Sequence, residues 1–367
     1  MPSSGSPSMP APPRRRGSAI ALGAGVVAGA PFASQARVNG VLGQRLGSAV
    51  VAALVSFAVG SAVASSVVAL LPRTRRAVAS ALGPGDNATV RQHGAHAPAA
   101  GERFGLRRRR LGRPAMSAPL PWWSYLGGLG GATAVAVAAA AVPVVGVAVF
   151  TVAFVAGQAA GGLGLDRTGL APGGRRQLSP RRVAGAGFTV AGVAVVLRGP
   201  VSGTAAPALV LELLAVTAGV LAAGQQTLNG RVQRATGEPM VAALVNFVVG
   251  TAALAVATLI VLSRSGGLPG TLPRDARLYI GGLLGVSVIA LSAWAVVRLG
   301  VLRLGLATVA GQLSGGLLLD TAASPGAGAA IRAATVLAVV LAFLGVALSG
   351  NREAVPPAAP ENQPARE

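Results

Sequence analysis

Lysine is missing from all 367 residues, so every one of the 31 basic side chains is arginine. Without lysine there is no P-loop, whose lysine must reach the nucleotide phosphates, and no Schiff-base chemistry. Cysteine is absent too, which removes disulfides and thiolate metal sites. The two histidines, His93 and His96, lie in a polar loop with no carboxylate or thiol beside them. That is a poor metal site, and no metal or cofactor is expected. No Ser/His/Asp or paired-carboxylate arrangement is present either, so the chain reads as a non-enzyme.

Charge is scarce as well. Charged residues make up 11% of the chain, against about a quarter in a soluble domain. Hydrophobic residues reach 52%, mean hydropathy is +0.64 and aromatics are only 4%. Much of this surface must therefore face lipid. The 52 glycines fit that reading, because membrane helices associate through small residues that let backbones approach. The net charge of +21 does not point to nucleic acid, because most arginines flank apolar spans.

What is present is a duplication. Gln35-Ala-Arg-Val-Asn39-Gly40, Gly47 and Val51-Ala-Ala-Leu-Val-Ser-Phe57 return 190 residues later. There they read Gln225-Gln-Thr-Leu-Asn229-Gly230, Gly237 and Val241-Ala-Ala-Leu-Val-Asn-Phe247. A second block recurs at an offset of 154, pairing Tyr125-Leu-Gly-Gly-Leu with Tyr279-Ile-Gly-Gly-Leu, and Gln158 through Asp166 with Gln312 through Asp320. Duplicated apolar segments are the building plan of many secondary transporters.

A bilayer core takes about 20 apolar residues per helix. Ten stretches qualify: 18–42, 48–71, 124–142, 144–165 and 181–198, then 205–228, 239–263, 277–296, 299–319 and 331–350. Short connections at 43–47 and near Pro143 predict helical hairpins. The fold expected is all-α, with ten transmembrane helices in two five-helix repeats, 18–198 and 205–350. Five is odd, so the second copy would enter the membrane inverted. Placing both termini in the cytoplasm puts 24 arginines inside and 7 outside, as the positive-inside rule requires. Residues 1–17 and 351–367 read as disordered tails. The Arg-rich segment 72–122 reads as a disordered cytoplasmic loop, a topology determinant whose Arg107, Arg108, Arg109 and Arg110 could touch anionic lipid.

Polar side chains inside spans are the candidates for function. Gln35 and Asn39 share one helix face, as do Gln225 and Asn229. Their amides can hydrogen-bond a polar solute, or can join helices. Gln158 and Gln312 lie in matching Gly-Gln segments ending at Asp166 and Asp320, which read as membrane-boundary anchors. An aspartate at a helix C-terminus opposes the macrodipole, so a nearby arginine such as Arg167 should compensate it. Glu212 interrupts an apolar run without a counterpart in the first copy, and its carboxyl could carry a proton. Ser56 and Asn246 occupy one repeat position with different chemistry, which makes the two halves of a site unequal.

The Gln35…Asn39-Gly40 helix with Ala52-Ala53-Leu54-Val55-Ser56-Phe57…Gly60 resembles the YdcZ-type inner-membrane exporters of the drug/metabolite transporter superfamily. Trp122-Trp123…Gly127-Gly128-Leu129 and Gly157-Gln158…Asp166 carry the same resemblance. The resemblance implies a tandem-fused ten-helix carrier with a central pathway in the bacterial inner membrane, and names no substrate. The expectation is a secondary carrier that exports a small metabolite or drug-like solute. The alternatives are a non-transporting membrane scaffold or lipid-surface sensor, and a flippase for a lipid-linked sugar.

Overall fold

The computed structural model describes residues 14–82, 120–172, 174–196, 205–267, 270–323 and 329–349. Among them the only regular structure is helical. In chain order the α-helices are α1 (Arg14–Leu46), α2 (Ala49–Leu70), α3 (Pro72–Leu82), α4 (Gly127–Thr168), α5 (Pro180–Val196), α6 (Ala205–Thr236), α7 (Pro239–Ser265), α8 (Gly281–Leu299), α9 (Val301–Ala323) and α10 (Ala329–Leu348). Short 3-10 turns at Trp122–Tyr125 and Ala276–Tyr279 lead into α4 and α8. Among the described residues six segments are long and apolar enough to cross a membrane: Gly17–Leu46, Ala49–Leu70, Trp122–Ala141, Leu209–Thr236, Pro239–Ser265 and Ala276–Leu299. Their outward faces carry bare aliphatics, among them Val256, Leu259 and Leu213, which suit lipid and not water.

The hairpin corners follow from local chemistry. α1 ends at Gly47, whose φ of 63° is left-handed and costs a glycine little. Ser48 then caps α2, its hydroxyl accepting the N–H of Val51 at 3.4 Å. The second copy repeats the corner with Gly237 at φ 75° and Pro239 opening α7.

α4 holds 42 residues and is not a straight rod. A Cβ on Gly131 would stand 2.8 Å from the amide of Gln225, and one on Gly161 would stand 3.0 Å from Ala223. Those glycines would be about 45 Å apart along a straight helix, so the chain doubles back between them. Gly127 and Gly131 meet Asn229 and then Gln225, antiparallel to α6, whereas Gly157 and Gly161 meet Val216 and then Val220, parallel to it. The reversal falls between Gly131 and Gly157. In the second copy a residue with positive φ, Gly300, makes the same break openly between α8 and α9.

The contacts between the copies come in exchanged pairs. Gly127 faces Asn229 as Gly281 faces Asn39, and Gly131 faces Gln225 as Gly285 faces Gln35. Gly157 packs on Val216 as Gly311 packs on Val26, and Gly60 meets Phe247 as Gly250 meets Phe57. At the centre of this exchange Phe57 and Phe247 lie 5.0 Å apart, and Ser61 and Thr251 share a 2.8 Å hydrogen bond. Each copy thus packs extensively on the other. Its α1 or α6 lies against the third and fourth segments of its twin.

One segment departs from expectation. Residues 72–82 were expected in a disordered loop, yet they form α3. Pro72 opens the helix, Thr74 returns its hydroxyl to the carbonyls of Leu71 and Val68 at 2.8 and 3.0 Å, and Ala77 is buried beside Val232 and Val241. Arg73, Arg75 and Arg76 stay exposed, so the helix is amphipathic. Arg107, Arg108, Arg109 and Arg110 lie outside the described residues.

Candidate solute-binding cavity

A cavity of about 70 Å³ lies where α1, α2, α4, α6, α7, α8 and α9 converge. Gln35, Gln158, Gln225, Asn229, Asn246 and Gln312 all line it, and so do Phe32, Phe57, Phe154 and Phe247. Six of the seven amides singled out in the sequence therefore meet in one place, drawn from both copies. The seventh, Asn39, is buried beside Ser56 against Gly281, behind the cavity wall.

The walls are set by helix phase. Ala222, Gln225, Gln226 and Asn229 fall at i, i+3, i+4 and i+7 on α6, one face of one helix. Gln226 was not singled out in the sequence, although this phase could have found it. Ser292 and Thr308 were also missed; they too line the cavity. A single hydroxyl in an apolar helix carries no sequence signal of its own, and Thr308 already bonds the carbonyl of Leu304 at 3.0 Å.

The two copies differ at the polar centre. Asn246 Oδ1 accepts Gln225 Nε2 at 3.0 Å and Asn229 Nδ2 at 3.1 Å, closing a buried amide triad. At the matching position Ser56 is too short to do the same, and Ser56 Oγ and Asn39 Oδ1 both lack a partner in the structure. The two clusters are thus unequal: one is joined through Asn246 Oδ1, with Asn246 Nδ2 left over, and in the other Ser56 Oγ and Asn39 Oδ1 are both unpartnered.

Asp166 lies away from the cavity and is fully buried. Its carboxylate pairs with Arg182 and accepts the N–H groups of Val301 at 2.9 Å and Leu302 at 3.3 Å. It therefore caps the N-terminus of α9 in the other copy, where the helix dipole favours a negative charge. The compensating arginine is Arg182, and Arg167 is exposed. The side chain of Asp320 lies outside the described residues. Glu212 is half-buried on α6 and is not among the residues lining the cavity. It precedes Ala222 by ten residues, about 15 Å along the helix. Among the described residues no group of three metal-ligating side chains occurs.

The profile described as "Putative inner membrane exporter, YdcZ" matches residues 20–84, 104–195 and 210–348, in both copies. The chain belongs to the YdcZ family. It is thus a multi-pass membrane protein of a transporter family, and the paired amides and glycines lie within the matched segments. No curated protein matches the chain. A solved crystal structure is similar with a TM-score of 0.60 at 18% identity, over 91% of this chain and 98% of its own. At that identity the similarity speaks for the fold alone.

Proposed function

We propose that the protein is a secondary-active exporter of a small metabolite or drug-like solute. It would work by alternating access, with ten membrane-crossing helices in two inverted five-helix repeats and both termini in the cytoplasm. One observation carries this reading. Amides from corresponding positions of both copies converge on a single cavity at the interface the copies share. Rocking one copy against the other would open that cavity to one side and then the other. Its small volume suits a closed intermediate more than an open vestibule.

In this reading Gln35, Gln225, Asn229, Asn246, Gln158 and Gln312 contact the solute, and Asn39 supports Gln35 from behind. Asp166 holds α9 in register with α5, an anchor joining the copies, and Asp320 would hold the same post in the second copy. Glu212, removed from the cavity, would load or release a proton along the path to it. Arg107, Arg108, Arg109 and Arg110 would hold the segment beyond α3 at an anionic lipid surface.

The test is a comparison of the small molecules accumulated by cells lacking the protein and by cells overproducing it. A carrier shifts at least one solute between cell and medium in opposite directions in the two strains. No such solute, or an effect that survives replacement of the six cavity amides by leucine, contradicts the reading.

A further inference from the structure

Resting on the transport reading above, we infer that the solute is uncharged and flat, and that it carries a hydrogen-bond acceptor beside a donor, as a carboxamide or a lactam does. Gln158 is 5% exposed and Asn246 1%, and both line the cavity. Gln158 Oε1, an acceptor, and Asn246 Nδ2, a donor, each lack a partner in the structure.

Asn246 spends its oxygen on Gln225 and Asn229, so its nitrogen is left without an acceptor. Gln158 lies against Gly305, where an added Cβ would stand 3.4 Å from its Cδ. Buried polar groups left unmatched are costly, and a ligand that supplies the missing acceptor and donor recovers that cost. An amide complements the pair: its carbonyl faces Asn246 and its N–H faces Gln158.

The rest of the wall decides charge and shape. Among the described residues that line the cavity there is no Asp, Glu, Arg or His. An ion entering would shed its hydration with no counter-charge to replace it, whereas a neutral amide loses little. Phe32 and Phe154, with ring centroids 6.2 Å apart, and Phe57 and Phe247, at 5.0 Å, offer apolar ring surface to a flat solute.

The experiment measures thermal unfolding of the purified full chain in lipid nanodiscs with benzamide, benzoate and benzamidinium at equal millimolar concentration. These probes share one ring and differ in charge. Benzamide is expected to raise the midpoint by a few degrees, through binding to the folded state, while benzoate and benzamidinium leave it unchanged. Gln158→Met should abolish the benzamide shift, while its ligand-free midpoint stays level or rises because an unmatched buried acceptor is removed. Should that variant fail to fold, Gln158→Glu should transfer the shift from benzamide to benzamidinium.

A wild-type shift as large with benzoate or benzamidinium, or no shift with any of the three, overturns the inference. Flux of the same probes into proteoliposomes decides the carrier reading separately. Binding of benzamide without flux removes the carrier and keeps the solute class. Flux of benzoate keeps the carrier and removes the class.

Discussion

Asp166 accepts the backbone N–H of Val301, 135 residues away in the other copy, at 2.9 Å. It does so while paired with Arg182, and both side chains are buried. Breaking such a pair from one side leaves an uncompensated buried charge, which costs about 3–5 kcal/mol. Asp166→Leu is therefore expected to destabilise the protein severely, whereas Asp166→Leu with Arg182→Met should recover much of the loss. Thermal unfolding of the single and double variants checks this. Equal damage in both would mean that the cap on α9, not the charge pair, dominates.

Close backbone approach makes a second prediction. Gly128 lies against the carbonyl of Asn246, and Gly282 lies against that of Ser56. A methyl group at either position would strike backbone and force α4 from α7, or α8 from α2. Gly128→Ala and Gly282→Ala should each cost about 1–3 kcal/mol. Gly224→Ala is the control, with nothing within 4 Å of its added Cβ, and should be neutral or slightly stabilising. Denaturation in a fixed detergent ranks the three.

The closed amide triad gives a third. Asn246→Leu leaves Gln225 and Asn229 without their shared acceptor and should cost about 1–3 kcal/mol. Asn246→Ser, which copies the first repeat, should cost less because a small polar side chain admits water. If Leu and Ser are equivalent, the triad contributes no net stability.

Glu212 supplies a fourth. If it carries the coupling proton, Glu212→Gln should make solute flux insensitive to an imposed pH gradient while solute binding is kept. Gradient-dependent flux in this variant would remove Glu212 from the coupling role.

Much of the site was legible because duplication marks it. The pairs Gln35 with Gln225, Asn39 with Asn229 and Gln158 with Gln312 recur at fixed offsets, and all but Asn39 among these six reach the cavity. The corner at Gly47 was legible from the short connection at 43–47. The partner of Asp166 was not, because Arg182 reaches it only when α5 folds back, and Val301 only when the copies meet. Asn39 is buried beside Ser56 against Gly281, whereas its repeat mate Asn229 lines the cavity, a difference between the copies that spacing alone does not show. α3 was missed because its arginines dominate its composition, while Thr74 and Ala77 do the anchoring.

In the proposed mechanism the two copies cross the bilayer in opposite senses. The chain has no native cysteine, so a single introduced thiol reports its side of the membrane without background. Arg45 and Ala235 are repeat mates, both exposed at the helix corners beside Gly47 and Gly237. In intact cells a membrane-impermeant maleimide should label Arg45→Cys and spare Ala235→Cys until the membrane is opened. Labelling of both from the same side would contradict the account.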